Sequence, residues 1–256
     1  MTIQMHRRRF ITGAAAGLAG VTLGGRTALG ASWWDALGSA EALTMGWQRS
    51  LLTRQALAPE FPESALSPAF RANGSTNPGE SAYKKLVQGN FAGWRLEVGG
   101  LVDTPLRLSL SDLRALPSRT QITRHDCVEG WSCIGKWTGV PLGEVLKRAG
   151  VKTTAKFIVF YCADAFEQTL DGSGQYYESV DLVDAFHPQT LLAYDMNNAA
   201  LTVPHGAPLR LRLERQLGYK MAKYLMKIEA VTGFEKIGRG NGGFWEDRGY
   251  QWYAGI

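Results

Sequence analysis

The sequence has few cysteines, and beyond its first thirty residues it has no excess of either charge. Cysteine occupies 3 of 256 positions, an odd number that leaves at least one thiol outside any disulfide framework. The chain has 28 basic and 23 acidic residues. Four of the arginines and none of the acids lie in residues 1–30, which leaves 24 basic residues against 23 acidic ones. This balance argues against a nucleic-acid-binding surface.

Several common motifs are also missing. The sequence has no GxGxxG or GxxxxGK[ST] pattern for a nucleotide, no HExxH or CxxC spacing for zinc, and no repeat of fixed period. Its N-terminal apolar stretch, Gly13 to Gly25, is short and rich in glycine, which is unfavourable for a membrane span. These absences argue against the commonest nucleotide-binding and solenoid classes and leave any zinc site without a signature spacing.

Residues 1–30 are typical of a cleavable export signal. Arg7-Arg8-Arg9 precedes Phe10, the apolar stretch follows, and Ala28-Leu29-Gly30 offers a small-residue cleavage site. The paired arginines indicate a twin-arginine signal, whose route carries folded proteins and suits one that takes up a cofactor before export. We therefore expect a periplasmic protein that uses the twin-arginine export machinery. The alternative is a basic leader without an export role.

The rest of the chain predicts a mixed α+β protein with more strand than helix. A weak helical pattern covers 32–57, and 59–78 forms an irregular lead-in rich in Pro, Ser, Asn and Gly. We predict further helices over 111–116 and 141–149, and a hairpin over 191–202 that turns at Asn197-Asn198. Predicted strands cover 94–98, 106–108, 156–162, 209–214 and 222–232.

Cys127 is the first candidate for chemistry. It lies in a polar segment beside His125 and Asp126, whereas a structural cysteine usually lies in an apolar run, as Cys162 does. Such a thiol suits a soft-metal ligand or a nucleophile. A zinc or iron site with His125 and His205, or a cysteine–histidine catalytic pair, stays open, although no signature spacing supports either. His187, before Pro188, is interpreted as a turn residue.

A second group of residues suits an anion. His205 and Arg210 flank a Gly/Pro turn, and the segment from Gly218 to Lys223 adds backbone amides and two ammonium groups, those of Lys220 and Lys223. Amides and cations of this kind bind phosphate. In the alternative interpretation, Arg210 and Arg212 form the solvated face of an alternating strand.

The order of short motifs resembles the molybdopterin-binding domain of the sulfite-oxidase family. The resemblance runs from about Phe70 to the C-terminus and implies the mixed β-sheets and short surrounding helices of that fold. With the signal over 1–30, it divides the chain into an N-terminal helix and irregular lead-in over 31–80 and a molybdopterin-binding oxidoreductase domain over 81–256. The motifs are Trp94-Arg-Leu-Glu-Val-Gly-Gly-Leu-Val, Leu113-Arg-Ala-Leu-Pro117, Cys127-Val-Glu-Gly-Trp-Ser132, Trp137-Thr-Gly-Val-Pro-Leu142, Leu191-Leu-Ala-Tyr194, His205-Gly-Ala-Pro-Leu-Arg-Leu211, Gly218-Tyr-Lys220 and Gly243-Phe-Trp-Glu246.

The resemblance also implies a cofactor and its ligands. The Cys127 thiolate would bind molybdenum, and Glu129 would lie beside the metal as a second catalytic residue. The molybdopterin is expected in its plain form, without an added nucleotide. Its implied contacts, besides Cys127, are Asn73, Gly74, Cys162, His205, Arg210, Met221, Ala222 and Lys223.

Departures from the family pattern narrow the expected reaction. Sulfite-oxidising members carry arginines just after the metal cysteine, whereas this chain has Glu129, whose carboxylate would repel sulfite. The Cys-Val-Glu-x-Trp-Ser pattern is closer to the periplasmic methionine sulfoxide reductase branch. The lead-in Phe70-Arg-Ala-Asn-Gly74 and the tail Tyr250-Gln-Trp-Tyr253 match that branch poorly.

We therefore expect oxygen-atom transfer at a small sulfoxide, an N-oxide or a similar small molecule. Electrons would be exchanged with a separate haem or membrane partner, because the cofactor carries the redox chemistry and the sequence offers no relay. The alternatives are a sulfite dehydrogenase, or a non-catalytic exported binding protein that keeps the fold. Cys127 distinguishes the last of these, since a binding module has no need for its thiol.

Overall fold

The computed structural model describes residues 33–51, 53–167, 169 and 174–256. Contacts group the chain into two units, Met1–Ala42 and Leu43–Ile256, and the architecture below belongs to the second. The predicted export signal over 1–30 lies outside the described residues. Within the described residues, no helix combines the length and apolar character that crossing a bilayer requires.

The described chain contains five α-helices and ten strands. The helices are α1 (Trp33–Leu51), α2 (Ser81–Gln88), α3 (Leu110–Arg114), α4 (Leu142–Ala149) and α5 (Leu182–Ala185). The strands are β1 (Leu96–Gly100), β2 (Leu106–Leu108), β3 (Arg119–Cys127), β4 (Trp131–Pro141), β5 (Phe157–Ala165), β6 (Gln175–Asp181), β7 (Leu191–Met196), β8 (Ala199–Ala200), β9 (Arg210–Arg212) and β10 (Leu225–Val231).

The first sheet has the strand order β2-β1-β10-β5-β6. Strands β1 and β10 pair in parallel, and the other pairs of this sheet are antiparallel, so the sheet is mixed as predicted. Its buried side chains, among them Ile158, Phe160 and Ile228, belong to the large apolar core together with the inner face of α4. Burial of this apolar surface is the main favourable term in the folding of this part.

The second sheet has the order β3-β4-β7-β8, with β9 also paired to β7. Along β3 every second side chain is buried, and these side chains are Gln121, Thr123, His125 and Cys127. The strand therefore has the period of two that a half-buried strand requires, but its inner face is polar. Because the prediction depended on apolar alternation, β3 and its partner β4 were missed, as was β6 in the first sheet.

Local signals explain the helix ends. Ser109 caps α3: its hydroxyl accepts the Asp112 N–H (3.1 Å), and the Asp112 carboxylate accepts the Ser109 N–H (2.8 Å). The helix therefore begins at Leu110, one residue before the predicted Ser111. Helix α4 ends at Ala149, and Gly150 follows directly, as the sequence indicated. Gly150 has a φ of 67°, the left-handed conformation that glycine adopts freely.

The hairpin prediction is confirmed, and the first helix is shorter than predicted. Asn197 and Asn198 have φ values of 50° and 65° between β7 and β8, which matches a two-residue turn with both residues in the left-handed region. Helix α1 ends at Leu51 instead of 57. The side chains of Trp47 and Leu51 are exposed, so two apolar members of the predicted helical pattern do not face the core.

The lead-in is irregular as predicted, apart from one 3₁₀ turn at Glu63–Ala65. It lies along the second sheet: the Phe61 N–H donates to the Ile122 carbonyl (2.9 Å), and the Ser67 N–H donates to the Ile134 carbonyl (3.0 Å). These backbone bonds satisfy donors of a segment with little secondary structure of its own. They bring residues 70–75 to the C-terminal end of β3.

Candidate functional site

A cavity of about 140 Å³ lies where β3 ends. The lead-in, the β3–β4 turn, the end of β5, the segment after β9 and the C-terminal residues all contribute to its wall. Of the residues implied by the family resemblance, Asn73, Gly74, Cys127, Glu129, Met221 and Lys223 line it. The remaining four are outside this lining, namely Cys162, His205, Arg210 and Ala222.

Cys127 is the last residue of β3, and the turn to β4 begins beside its thiol. Gly130 has a φ of 84° and donates its N–H to the Cys127 carbonyl (3.0 Å), so the tight turn requires a residue that adopts the left-handed conformation. Burial raises the pKa of the Cys127 thiol, and the Glu129 charge adds to this; the Glu129 N–H and Arg71 act in the opposite direction. All three cysteines are free, and a bound cation would favour the Cys127 thiolate.

Glu129 lies at the mouth of the cavity. Its carboxylate accepts a hydrogen bond from the Trp131 indole (3.0 Å) and faces the Arg71 guanidinium at 3.8 Å. The guanidinium of Arg71 also lies over the Trp131 ring, 5.2 Å from its centroid. The Glu129 side chain is 51% exposed, so the carboxylate has access to solvent as well as to the cavity.

Lys223 connects the cavity wall to the lead-in. Its ammonium donates to three backbone carbonyls, those of Asn73 (2.7 Å), Ser75 and Pro204 (3.0 Å). Burial and the nearby charge of Arg210 lower the pKa of Lys223 to about 7. A bound anion would restore the charged form of this lysine, because an opposite charge favours it.

Arg210 lies behind Lys223 and has unused donors. Its side chain is 1% exposed, and Nη1 donates to the His205 carbonyl (3.1 Å). Within the described protein, its Nε and Nη2 have no hydrogen-bond partner. Burial and the charge of Arg212 lower the pKa of Arg210 to about 9. A buried guanidinium with two free donors fits an anionic group such as the phosphate of molybdopterin, and the solvated-face interpretation of Arg210 and Arg212 is wrong.

Two other buried cations are already neutralised by the protein. Arg212 forms a two-bond pair with Glu214 (2.9 and 2.7 Å). Lys220 is bound by the carboxylates of Glu178 and Glu246 (2.5 Å to Glu246). The prediction that Lys220 and Lys223 both offer ammonium groups to an anion is therefore wrong for Lys220, because its donors are taken by two acids.

The histidines have structural partners. His205 has both ring nitrogens in hydrogen bonds, to the Phe70 carbonyl (3.0 Å) and to the Thr202 hydroxyl (2.8 Å). His125 Nδ1 accepts from Arg212 (3.0 Å), and burial lowers the pKa of His125 well below its usual value. His187 is bound to the Ala56 carbonyl (3.0 Å). No group of three or more His, Cys, Asp or Glu suited to a metal occurs in the described ranges.

Nine of the fifteen residues that line the cavity were not predicted as site residues, and Asp164, Trp245 and Tyr250 are three of them. Burial raises the pKa of Asp164 to about 7, and its Oδ1 has no hydrogen-bond partner among the described residues. The predicted strand ended at Cys162, whereas β5 continues to Ala165 and brings Asp164 to the cavity. Extending the predicted alternation of this strand by two positions beyond Cys162 would have identified Asp164. Cys162 itself packs in the apolar core.

Comparisons with known proteins identify the family of most of the chain. Residues 84–236 match the family described as the oxidoreductase molybdopterin binding domain. The putative protein-methionine-sulfoxide reductase subunit YedZ1 of Azospira oryzae is 38% identical over 210 residues, which are 82% of this chain and 71% of that protein. The protein-methionine-sulfoxide reductase catalytic subunits MsrP of Xanthomonas axonopodis and Campylobacter jejuni are 39% and 34% identical.

The MsrP matches cover 54% and 55% of this chain and only 45% and 50% of those proteins, so the chain spans about half their length. Among solved structures, the sulfane dehydrogenase SoxCD from Paracoccus pantotrophus aligns with a TM-score of 0.48 and 24% identity. The alignment covers 54% of this chain and 38% of the SoxCD chain. Because the family match covers more than half of the chain, the protein belongs to the oxidoreductase molybdopterin-binding domain family and is a molybdenum-cofactor-dependent oxidoreductase of the sulfite-oxidase fold.

Proposed function

We propose that the protein reduces methionine sulfoxide residues of proteins in the periplasm. The observation that carries this proposal is the meeting of the Cys127 thiol, the Glu129 carboxylate and the Lys223 ammonium at one cavity, backed by the unpaired Arg210. The names of the related methionine sulfoxide reductase subunits suggest the substrate class. The proposal therefore replaces the expected small-molecule substrate with a sulfoxide carried by a protein.

The residues fit the cofactor as follows. Cys127 would hold the molybdenum, the free Nε and Nη2 of Arg210 would bind the phosphate of the pterin, and Lys223 would add its positive charge beside them. The plain form of molybdopterin, without an added nucleotide, is part of this proposal. When bound, the cofactor supplies the two-electron redox chemistry at its metal. His205 supports this arrangement indirectly, because its carbonyl orients Arg210 (3.1 Å).

The reaction balances as a two-electron reduction. A sulfoxide takes up two electrons and two protons, the S=O bond breaks, and a thioether and water are released. We propose a separate haem or membrane protein as the electron donor and a twin-arginine signal over 1–30 as the means of export. Glu129 is placed to exchange protons between solvent and cavity, and its negative charge disfavours sulfite as a substrate.

The test uses the full chain purified from the periplasm of a host that makes the cofactor. Molybdenum and pterin content are measured for the wild type, for Cys127→Ala and for the matched control Cys133→Ala, whose thiol lies away from the cavity. Turnover is measured with an oxidised protein and with sulfite, using artificial electron donors and acceptors. We expect about one metal per chain, lost only with Cys127, and activity on the sulfoxide.

Turnover that survives in Cys127→Ala would refute the role of the thiol. Preferential oxidation of sulfite would replace the proposed reaction with sulfite dehydrogenation. Wild-type protein that accumulates only in the cytoplasm would overturn the proposed location.

A further inference from the structure

Two exposed apolar side chains lie on the wall of the cavity. Val128 is 44% exposed and directly follows Cys127, and Tyr250 is 42% exposed; both line the cavity. Single exposed apolar residues are ordinary on protein surfaces. Two of them from distant segments at one cavity indicate that this rim contacts an apolar part of a ligand. Tyr250 also belongs to the tail that departs from the known branch of the family.

The ring of Tyr250 is held in place although it is nearly half exposed. It packs edge-on against Tyr219 (centroids 5.2 Å apart, 89°) and stacks with Trp245 (5.3 Å, 29°). Its backbone N–H donates to the Trp245 carbonyl (3.1 Å), and the Tyr219 hydroxyl donates to the next carbonyl, that of Gln251 (2.6 Å). A fixed ring of this kind loses little entropy when it binds a partner.

The reacting end of the cavity is close to the protein surface. Cys127 is the last strand residue before an exposed turn, Val128 to Gly130, so the residue that carries the thiol is directly followed by exposed ones. A side chain that projects from another protein can therefore approach this end. The methionine side chain is unbranched and flexible, and its sulfur makes favourable contacts with aromatic rings.

Resting on the proposed function, we infer that Val128 and Tyr250 are specificity-determining residues. They contact the methylene groups and the S-methyl group of a methionine sulfoxide side chain, which lies between the aliphatic side chain of Val128 and the aromatic ring of Tyr250. The apolar rim thereby favours a sulfoxide presented by a peptide over a small sulfoxide such as dimethyl sulfoxide, which has no side-chain methylenes to bury.

The experiment compares kcat/KM for a peptide that carries one methionine sulfoxide with kcat/KM for dimethyl sulfoxide, in the cofactor-loaded enzyme. For Tyr250→Ala we expect the ratio of the two values to fall about tenfold through a higher KM for the peptide. Tyr250→Phe restores the ratio, because the ring is what matters. Val128→Ser, at an exposed turn position, lowers the ratio less. The control is Phe186→Ala, which removes a ring that is 40% exposed away from the cavity.

A second readout does not depend on turnover. Binding of the reduced methionine peptide is followed by quenching of tryptophan fluorescence, and its Kd rises in Tyr250→Ala by about the same factor as KM. If the wild type reduces both substrates while the ratio and Kd stay unchanged in Tyr250→Ala and Val128→Ser, the inference is overturned and the proposed function stands. If the wild type reduces neither sulfoxide, the proposed function fails and the inference falls with it.

Discussion

Strands β3 and β9 of the second sheet bury many polar side chains, whereas strands β5 and β10 of the first sheet bury mainly apolar ones. The first sheet buries aliphatic and aromatic side chains such as Ile158, Phe160 and Ile228. The second buries Gln121, Thr123 and His125 along β3, and Arg210 and Arg212 on β9. Its β7 side chains Leu192 and Tyr194 belong to the large apolar core, and a smaller apolar cluster surrounds Trp137. Both sheets have the same pleated geometry, so the difference reflects the roles of the side chains that they bury.

The comparison shows that a buried polar face is either neutralised within the protein or left for a ligand. Arg212 has Glu214 as its partner, and Lys220 has two carboxylates. Arg210, by contrast, keeps Nε and Nη2 without partners in the described part of the chain. Burying an unpaired charge is unfavourable, so this arginine costs stability until an anion binds.

The largest expected effect tests the apolar sheet. Phe160→Ala removes a fully buried ring from the core, and we expect it to lower the free energy of unfolding by about 3–5 kcal/mol, the usual cost of a lost ring and the cavity it leaves. Urea unfolding measures this loss. Molybdenum content per folded chain should stay near that of the wild type. A specific loss of metal would contradict the view that Phe160 stabilises the fold without contributing to the cofactor site.

The next effect compares two arginines of one strand. Arg210→Met should raise the free energy of unfolding of the cofactor-free protein by about 1–3 kcal/mol, because an unpaired buried charge is replaced by an apolar side chain of similar size. The same variant should retain less cofactor. Arg212→Met is the matched control: it strands the buried Glu214 carboxylate and should destabilise by about 3 kcal/mol. Equal signs for the two variants would refute the assignment of Arg210 to an anion.

A third comparison concerns pH. The folded pKa of Asp164, about 7, lies above its usual value of 3.8, so between these values the folded protein holds a proton that the unfolded chain releases. Stability from this group is present below pH 4 and is lost as the pH rises to 7. In the cofactor-free Asp164→Asn variant, the free energy of unfolding should therefore fall less between pH 4 and 7 than it does in the wild type. The difference should be roughly 2–4 kcal/mol, as measured by urea unfolding.

Asp112→Asn is the control for this prediction. Asp112 is exposed, and its pKa is lowered by hydrogen bonds from Ser109, so its contribution is lost only as the pH falls through this lower folded pKa. Its removal should leave the slope between pH 4 and 7 unchanged. An unchanged slope in Asp164→Asn would show that Asp164 ionises normally in the folded protein.

The sequence predicted the elements that follow simple rules. Helix α4 with Gly150 at its end, the hairpin at Asn197-Asn198 and the buried strand through Phe160 all have the expected residues at the expected spacing. Strand β3 was missed because its buried face is polar, so its alternation is invisible to a search for apolar residues. The interpretation of β9 as a strand with a solvated arginine face was wrong for the same reason.

Cys127 could be singled out from the sequence because a thiol in a polar segment of a chain with few cysteines is unusual. The family resemblance predicted its part in a molybdenum site and the residues expected around it. The sequence by itself determined the fold class, the family and most local elements, since each depends on neighbouring residues or on motifs in a fixed order.

Only the tertiary structure decided how each charge is used. Arg210, Arg212, Lys220 and Lys223 look alike in the sequence, but two of them find acids and two do not. Their partners come from segments far apart in the chain, and burial determines how strongly each unpaired charge is felt. The same holds for Tyr250, whose place at the cavity depends on the packing of the C-terminal segment against Tyr219 and Trp245.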